Sequence, residues 1–408
     1  MLKLLKQNKM FRVLLSYQFF SAIGGAMFAM FILLSVHLIY ENPIFTGIAG
    51  FLMAAPRMIS FSVGPIVDRR NKVAIMRLTT FLEFLVLALL AFTTLKESFG
   101  VLFMFAVIFV YNMAALFENP AGTALLPQIV LEDEILQANS IINIIAMAGG
   151  IIIGVVLFSA VRDEVNFTFL FGFSAVFIAL AFLCSLLLKN LGVKKAANSK
   201  PNYARDLKEG AKFIKSNLLL YAIIAVVAMS FFAEISYVNR PQFLEYYVGA
   251  QGYVVFVMMT LIGGIIASSV VGKIGDRFKL GWLVFVLYIL TATARIVFVL
   301  VLPRHHIGGL IMAIMFSALA ASISIIFTTL NQKVPPENMV GRVDTITSTF
   351  VAIAATVGAL IGGFLGSVVP VVDHIIIFQG LSYIAVGVFL FLIPSFRRLP
   401  RLNEVKKQ

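Results

Sequence analysis

The chain is poor in what soluble proteins rely on. Only 12% of its 408 residues are charged, against 61% hydrophobic, where an ordinary globular domain carries about a quarter charged residues. Mean hydropathy is +1.00, so water is not the solvent for most of this surface, and the composition is that of an integral membrane protein. There is a single cysteine, Cys184. A disulfide framework or a Cys-rich metal site needs at least two thiols and is excluded. Four histidines, two of them adjacent at His305 and His306, offer no metal cage. Acidic residues are scarce as well, 19 against 32 Lys and Arg, for a formal net charge of +13. Nucleic-acid binding would need that charge as a basic face on a soluble domain, and no such domain is present. Basic residues in a membrane chain mark the cytoplasmic side and its anionic lipids.

What is abundant is long apolar stretches. A membrane-crossing helix needs roughly 20 mostly apolar residues, and the sequence predicts twelve such spans. They run near Phe11 to Tyr40, Ile44 to Val67, Val73 to Leu95, Gly100 to Phe117, Ala138 to Val161 and Val165 to Leu188, then Leu218 to Tyr247, Gly252 to Ile274, Leu280 to Leu302, His306 to Leu330, Val343 to Val369 and His374 to Pro394. They are too long and too uniformly apolar for barrel strands, which leaves helices as the way to satisfy the backbone in lipid. About 26 of the 32 basic residues fall in alternate loops and at both termini, which places both termini in the cytoplasm. The basic start runs into a span without a small-residue cleavage site and reads as a first helix, not a removed signal.

The longest polar stretch, Lys189 to Lys215, lies near the midpoint. It divides the chain into a six-helix bundle over 1–188, a cytoplasmic linker over 189–217, and a second six-helix bundle with a basic tail over 218–408. An offset of 208 residues relates the halves. Gly64, Asp68 and Arg69 fall on Gly272, Asp276 and Arg277, Pro127 falls on Pro335, and Gly150 and Gly154 fall on Gly358 and Gly362. The expected fold is all-α, twelve transmembrane helices in two pseudo-symmetric bundles.

The Gly64-x-x-x-Asp68-Arg69-x-x-Lys72 pattern, its weaker copy from Gly272 to Lys279 and the six-plus-six layout resemble the major facilitator superfamily. Asn119-Pro120, Ala124-Leu125-Leu126-Pro127, Ala138-Asn139-Ser140 and the run from Val334 to Val343 are similar to the macrolide-efflux branch of bacterial drug exporters, the drug:proton antiporter-3 group, a pattern largely shared with lysophospholipid transporters. The resemblance implies a monomeric transporter in a bacterial cell membrane that works by alternating access. It also implies that Asp68 and Arg69, with Gly64 and the repeat-mates Gly272, Asp276 and Arg277, belong to a conformational latch. For Arg70 and Lys72 a solvated cytoplasmic turn is the simpler reading. The sequence departs from the family pattern where Val155 and Gly363 stand in place of the exporters' proline and where Asn112 replaces a common arginine.

Ionisable residues at membrane depth are costly and are functional candidates. Arg57 lies seven residues before Gly64, roughly 10 Å deeper along a helix. Glu234 lies inside the seventh span with Phe231 and Tyr237 one turn away. These two are the expected proton-coupling or substrate groups, with a structural ion pair as the bland alternative. Asn112 is a neutral hydrogen-bonding candidate. Glu83 and Arg295 are expected to be supports, Arg295 snorkelling to the outer end. Glu118 is placed at the inner end of span four, closing the cytoplasmic entrance or facing water. Arg240 and Glu245, flanking Pro241, are candidates for an outer gate. Gly150, Gly154, Gly358 and Gly362 put small residues on one helix face for close packing. No Walker loop or nucleophile-base constellation is present, so an enzyme is not expected. No cofactor is expected, and a proton would be the coupling ion. Partners are the bilayer and a hydrophobic small molecule, exported as a macrolide-like or multidrug substrate, or alternatively a lipid moved between leaflets.

Overall fold

The computed structural model describes residues 8–94, 100–131, 138, 141–142, 149, 166–189, 203–215, 219–336, 339–369, 371–401 and 404. These residues fold as helices, and ten of the helices are long and apolar enough to cross a membrane. In chain order they are α1 (Lys9–Tyr40), α2 (Pro43–Ala54), α3 (Ser60–Arg69), α4 (Lys72–Thr94), α5 (Val101–Ile129), α6 (Phe167–Leu187), α7 (Tyr203–Lys215), α8 (Leu219–Tyr237), α9 (Arg240–Arg277), α10 (Leu280–Val301), α11 (His306–Lys333), α12 (Val340–Val368), α13 (Asp373–Leu392) and the short α14 (Pro394–Arg397). The predicted fifth span lies almost wholly outside the described residues.

The chain divides into two compact units. One comprises 1–41 and 59–201, the other 42–58 and 202–408. In the first, Phe11, Leu14 and Tyr17 of α1 are buried with Val73 and Met76 of α4 and Leu125 of α5. In the second, Leu219 and Ala225 of α8 are buried with Tyr288 of α10, Ile326 of α11 and Tyr383 of α13. The polar linker contains the helix α7, which docks on its own unit. Gly210 lies against Arg342 and Ile346 of α12, and Arg342 is ion-paired with Glu209 at 2.5 Å.

Three helices depart from the boundaries read off the sequence. The second span is not continuous. A 3-10 turn over Ala55–Ile59 separates α2 from α3, because Pro56 brings no N–H to an α-helical ladder. α5 does not stop near Phe117 but runs on to Ile129 with Pro120 and Pro127 inside it, so Pro127 is helical while Pro335 lies beyond the end of α11. Side chains take up backbone carbonyls near Pro120, with Asn119 Nδ2 donating to the Ala115 carbonyl at 3.1 Å and Thr123 Oγ1 to the Asn119 carbonyl at 3.1 Å. The seventh span is interrupted after Tyr237 and restarts with Pro241 in the first turn of α9. α9 itself bends at Gly249, whose φ of 69° is a left-handed backbone value that glycine adopts without a Cβ clash.

Candidate functional site

In the second unit the glycines of α12 set how closely its neighbours approach. A Cβ on Gly358 would lie 2.5 Å from the Phe231 carbonyl oxygen, and one on Gly362 would lie 2.6 Å from that of Ile235, both on α8. Gly363 meets Gly47 of α2 in the same way, its Cβ position falling 2.6 Å from the Gly47 Cα. α8 and α2 are thus both drawn against α12 by backbone-to-backbone packing. Asn239 ties the first junction, its amide donating to the Ile235 and Gly362 carbonyls at 2.8 Å each.

That packing positions Glu234 and its neighbours. Glu234 is half-buried on the last turn of α8, its Cβ beside Gly358. Arg57, exposed in the 3-10 turn, and Arg240, at the start of α9, are both close enough for their charges to act on it. The Arg240 guanidinium lies over the Tyr237 ring at 4.9 Å and over the Phe256 ring at 5.3 Å, cation–π contacts that hold it beside the acid. Phe231 is half-buried and packs edge-on against Phe232 at 5.1 Å. The structure therefore brings together Arg57, Phe231, Glu234, Tyr237 and Arg240 around one acid with two guanidiniums in range. Such a group can exchange a proton or a cation against the fixed positive charge. Glu245 is exposed one and a half turns further along α9.

Other sequence candidates stand elsewhere. Asn112 is half-buried on α5 and donates to the Ile108 carbonyl of its own helix at 2.8 Å. Arg277 is exposed, its guanidinium 5.7 Å from the Phe278 ring. Gly64, Asp68, Arg69, Gly272 and Asp276 sit in α3 and α9, but their own surroundings lie outside the described residues, as do Gly150 and Gly154.

Two placements are corrected. Glu118 does not face water at a helix end. α5 continues eleven residues past it to Ile129, and Glu118 is buried at 8% exposure in the first unit. Its Oε1 accepts hydrogen bonds from the Tyr17 hydroxyl at 2.5 Å and the Ser21 hydroxyl at 2.7 Å. Arg295 does not snorkel. It is buried at 6%, donating to Gln379 Oε1 at 2.6 Å and stacked on Phe316 at 4.3 Å, because its side chain points into the bundle of α10, α11 and α13 rather than along α10 to its end. Tyr17, Thr80 and Glu83, which join Glu118, were not singled out by the sequence as a group. The Tyr17–Thr80 contact recurs at the same spacing as Tyr288–Ala225 in the other half, but none of the four residue types is repeated at the 208-residue offset, so the sequence carries no signal for the group.

A helical, multi-pass membrane protein with duplicated halves and ionisable groups set among its helices is the architecture of a secondary transporter. The profile of the Major Facilitator Superfamily matches residues 14–359, and the chain belongs to that superfamily of transporters. Solved structures agree in fold. The nucleoside transporter NupG is similar with a TM-score of 0.75 at 11% identity, covering 96% of this chain and 99% of that one. A peptide transporter, POT, in complex with alafosfalin has a TM-score of 0.72 at 15% identity, covering 96% of each chain. A bacterial homologue of the iron transporter ferroportin, in an inward-facing state, has a TM-score of 0.70 at 14% identity, covering 94% of this chain and 98% of that one. Comparison with curated protein sequences finds no match.

Proposed function

We propose that this transporter exports amphipathic or hydrophobic compounds, macrolide-like molecules among them, by alternating access coupled to proton antiport. It acts as a monomer in the bacterial cell membrane with both termini cytoplasmic. The single observation that carries the reading is Glu234: a carboxyl in an aromatic setting on α8, with Arg57 and Arg240 in electrostatic range. A proton on Glu234 and a cationic or polarised substrate are alternative partners for the same carboxylate, and competition between them is the minimum chemistry of exchange. Phe231 and Tyr237 supply apolar and amphipathic surface for a greasy ligand.

The test uses vesicles carrying the full chain with an imposed inward-acidic gradient. Ethidium uptake is expected to follow the gradient in the wild type and to lose that dependence in Glu234→Gln; uptake indifferent to pH in both forms would overturn the coupling. A second reading, lipid movement between leaflets, is favoured by one feature of the first unit. A groove of about 600 Å³ runs along α4 and α5, apolar at Leu78, Leu82, Phe109 and Met113, with Arg70 and Asn71 among its lining residues. That volume is within the usual range of about 300–1,000 Å³ for small-molecule sites. Labelled lysophospholipid in the same vesicles discriminates the two, since movement above empty liposomes without a gradient would favour the lipid.

A further inference from the structure

The first unit holds a second set of buried ionisable groups that the Glu234 reading does not use. Glu83 of α4 is 1% exposed and Glu118 of α5 is 8% exposed, and they are neighbours: the Tyr17 hydroxyl that reaches Glu118 also meets Thr80, one turn before Glu83 on α4, and the charge of Glu118 acts on Glu83. Glu118 is well supplied with donors from α1, the hydroxyls of Tyr17 and Ser21 both reaching its Oε1. The Tyr17 oxygen also meets Thr80 Oγ1 at 2.7 Å, and with the Tyr17 proton directed to Glu118 it is Thr80 that donates in this contact. Glu83 is the opposite case. Among the described residues neither of its carboxyl oxygens has a hydrogen-bond donor.

The charges around the pair do not relieve it. Among the described residues the charged group that acts on Glu83 is Glu118, and the other titratable side chains facing the pair are Tyr17 of α1 and Tyr111 of α5. On α4 itself Arg77 is turned to the Ser185, Leu186 and Leu188 carbonyls. α6 offers Cys184 as its ionisable group, and on α3 the surroundings of Asp68 and Arg69 lie outside the described residues. Two adjacent carboxylates buried with no cation beside them among the described residues cannot both stay ionised, because each charge already costs several kcal/mol to desolvate and each repels the other.

We propose that Glu83 and Glu118 form a proton-binding site that holds one shared proton, carried on Glu83 and donated to Glu118. The donors decide which acid is neutral: two hydroxyls stabilise an anion on Glu118, and an O–H on Glu83 gives that otherwise unpartnered group a bond. The packing of these helices does not demand carboxyls. At the same offset of 208, the other half places Thr291 and Ile326, both fully buried at 0%. Both donors to Glu118 come from α1, so a shift of α1 strips the anion of its hydroxyls and transfers its demand to a second proton. Proton occupancy is thereby tied to helix position. The site deepens the antiport reading by naming a carrier in the first unit, and only its role in transport rests on that reading.

The test is infrared difference spectroscopy of the full chain in lipid nanodiscs as the pH is cycled about neutrality, following the C=O stretch of protonated, water-shielded carboxyls. A band from Glu83 is expected in the wild type, separate from any that Glu234 contributes. It should vanish in Glu83→Gln, shift in Glu118→Gln and persist in Glu234→Gln. Glu83→Thr, which installs the residue type that packs at the repeat position, should lose the same band and guards against a misfolded Gln variant. A wild type without the band, or a band that survives both Glu83 substitutions in folded protein, overturns the site. If the band responds to Glu83 while wild-type dye uptake ignores the gradient, the site stands and the antiport reading falls. If uptake follows the gradient and no band responds, the site falls and the antiport reading stands.

Discussion

The two halves pack alike and differ in where they bury charge. Tyr17 of α1 meets Thr80 of α4, and 208 residues later Tyr288 of α10 reaches back to the Ala225 carbonyl of α8, the same helix pair held by a tyrosine from the other side. Where the first half buries Glu83 and Glu118, the second has Thr291, bonded to the Leu287 carbonyl of its own helix at 2.6 Å, and Ile326. Where the second half buries Arg295 and Gln379, the first has Leu87 and Phe171, at 0% and 1% exposure. At these matched positions one half carries buried acid and the other buried base on a common scaffold. Scaffold packing is therefore satisfied by uncharged residues at each of these positions, and the ionisable groups are additions whose desolvation the fold must offset. That separation is what one expects when the repeat supplies the helices and function supplies the charge.

The comparison breaks most sharply if the acid is moved. Thr291→Glu should destabilise the second half by about 3 kcal/mol, because the positions matching Tyr17 and Ser21 are Ala225 and Met229 and offer no side-chain donor. Thermal denaturation in detergent checks this, and a loss near zero would mean that either half accepts a buried carboxyl. Next in size is the base. Arg295→Met should cost about 2 kcal/mol, since it leaves the Gln379 Oε1 without its donor. Adding Gln379→Leu removes the orphaned acceptor as well, and the double variant should recover most of that loss. Simple additivity of the two changes would show that the pair is not a unit.

Much of this was legible in the sequence, and what was not has a physical pattern. Apolar runs located the helices because the bilayer imposes both length and composition. The 208-residue offset exposed the duplication. Glu234 and Arg57 stood out as ionisable groups inside spans, and the structure sets both in one unit with Arg240. Boundaries were less legible. The fourth span was ended near Phe117, yet α5 runs on through Pro120 and Pro127 with side chains taking up nearby carbonyls. That misplaced end put Glu118 at an aqueous rim. Arg295 was misread for a related reason: distance from a helix end says how far a side chain must reach, not which way it points. Glu83 and Glu118 are 35 residues apart on different helices, and their meeting depends on helix rotation, which a uniformly greasy sequence leaves almost unmarked. The hydrophobic pattern cannot set that rotation when every face is apolar.

The finest distinction between the halves lies in the two tyrosines. Tyr17 donates to the Glu118 carboxyl, a bond to an ionised acceptor that is worth about 1.5–3 kcal/mol. Tyr288 donates at 3.1 Å to the Ala225 carbonyl, a neutral acceptor inside α8, and such a bond contributes about 0.5–1.5 kcal/mol. Both side chains are fully buried, so removing either hydroxyl as Tyr→Phe leaves a cavity of similar size and the packing losses cancel in the comparison. Tyr17→Phe should therefore cost about 1 kcal/mol more than Tyr288→Phe in matched denaturation experiments. In the Glu118→Gln background Tyr17 loses its charged acceptor, and the gap between the two Tyr→Phe changes should close. A gap that persists there would mean that Tyr17 serves packing rather than the Glu118 anion. Equal costs in the unmodified chain would mean that Glu118 is not the ionised member of the pair.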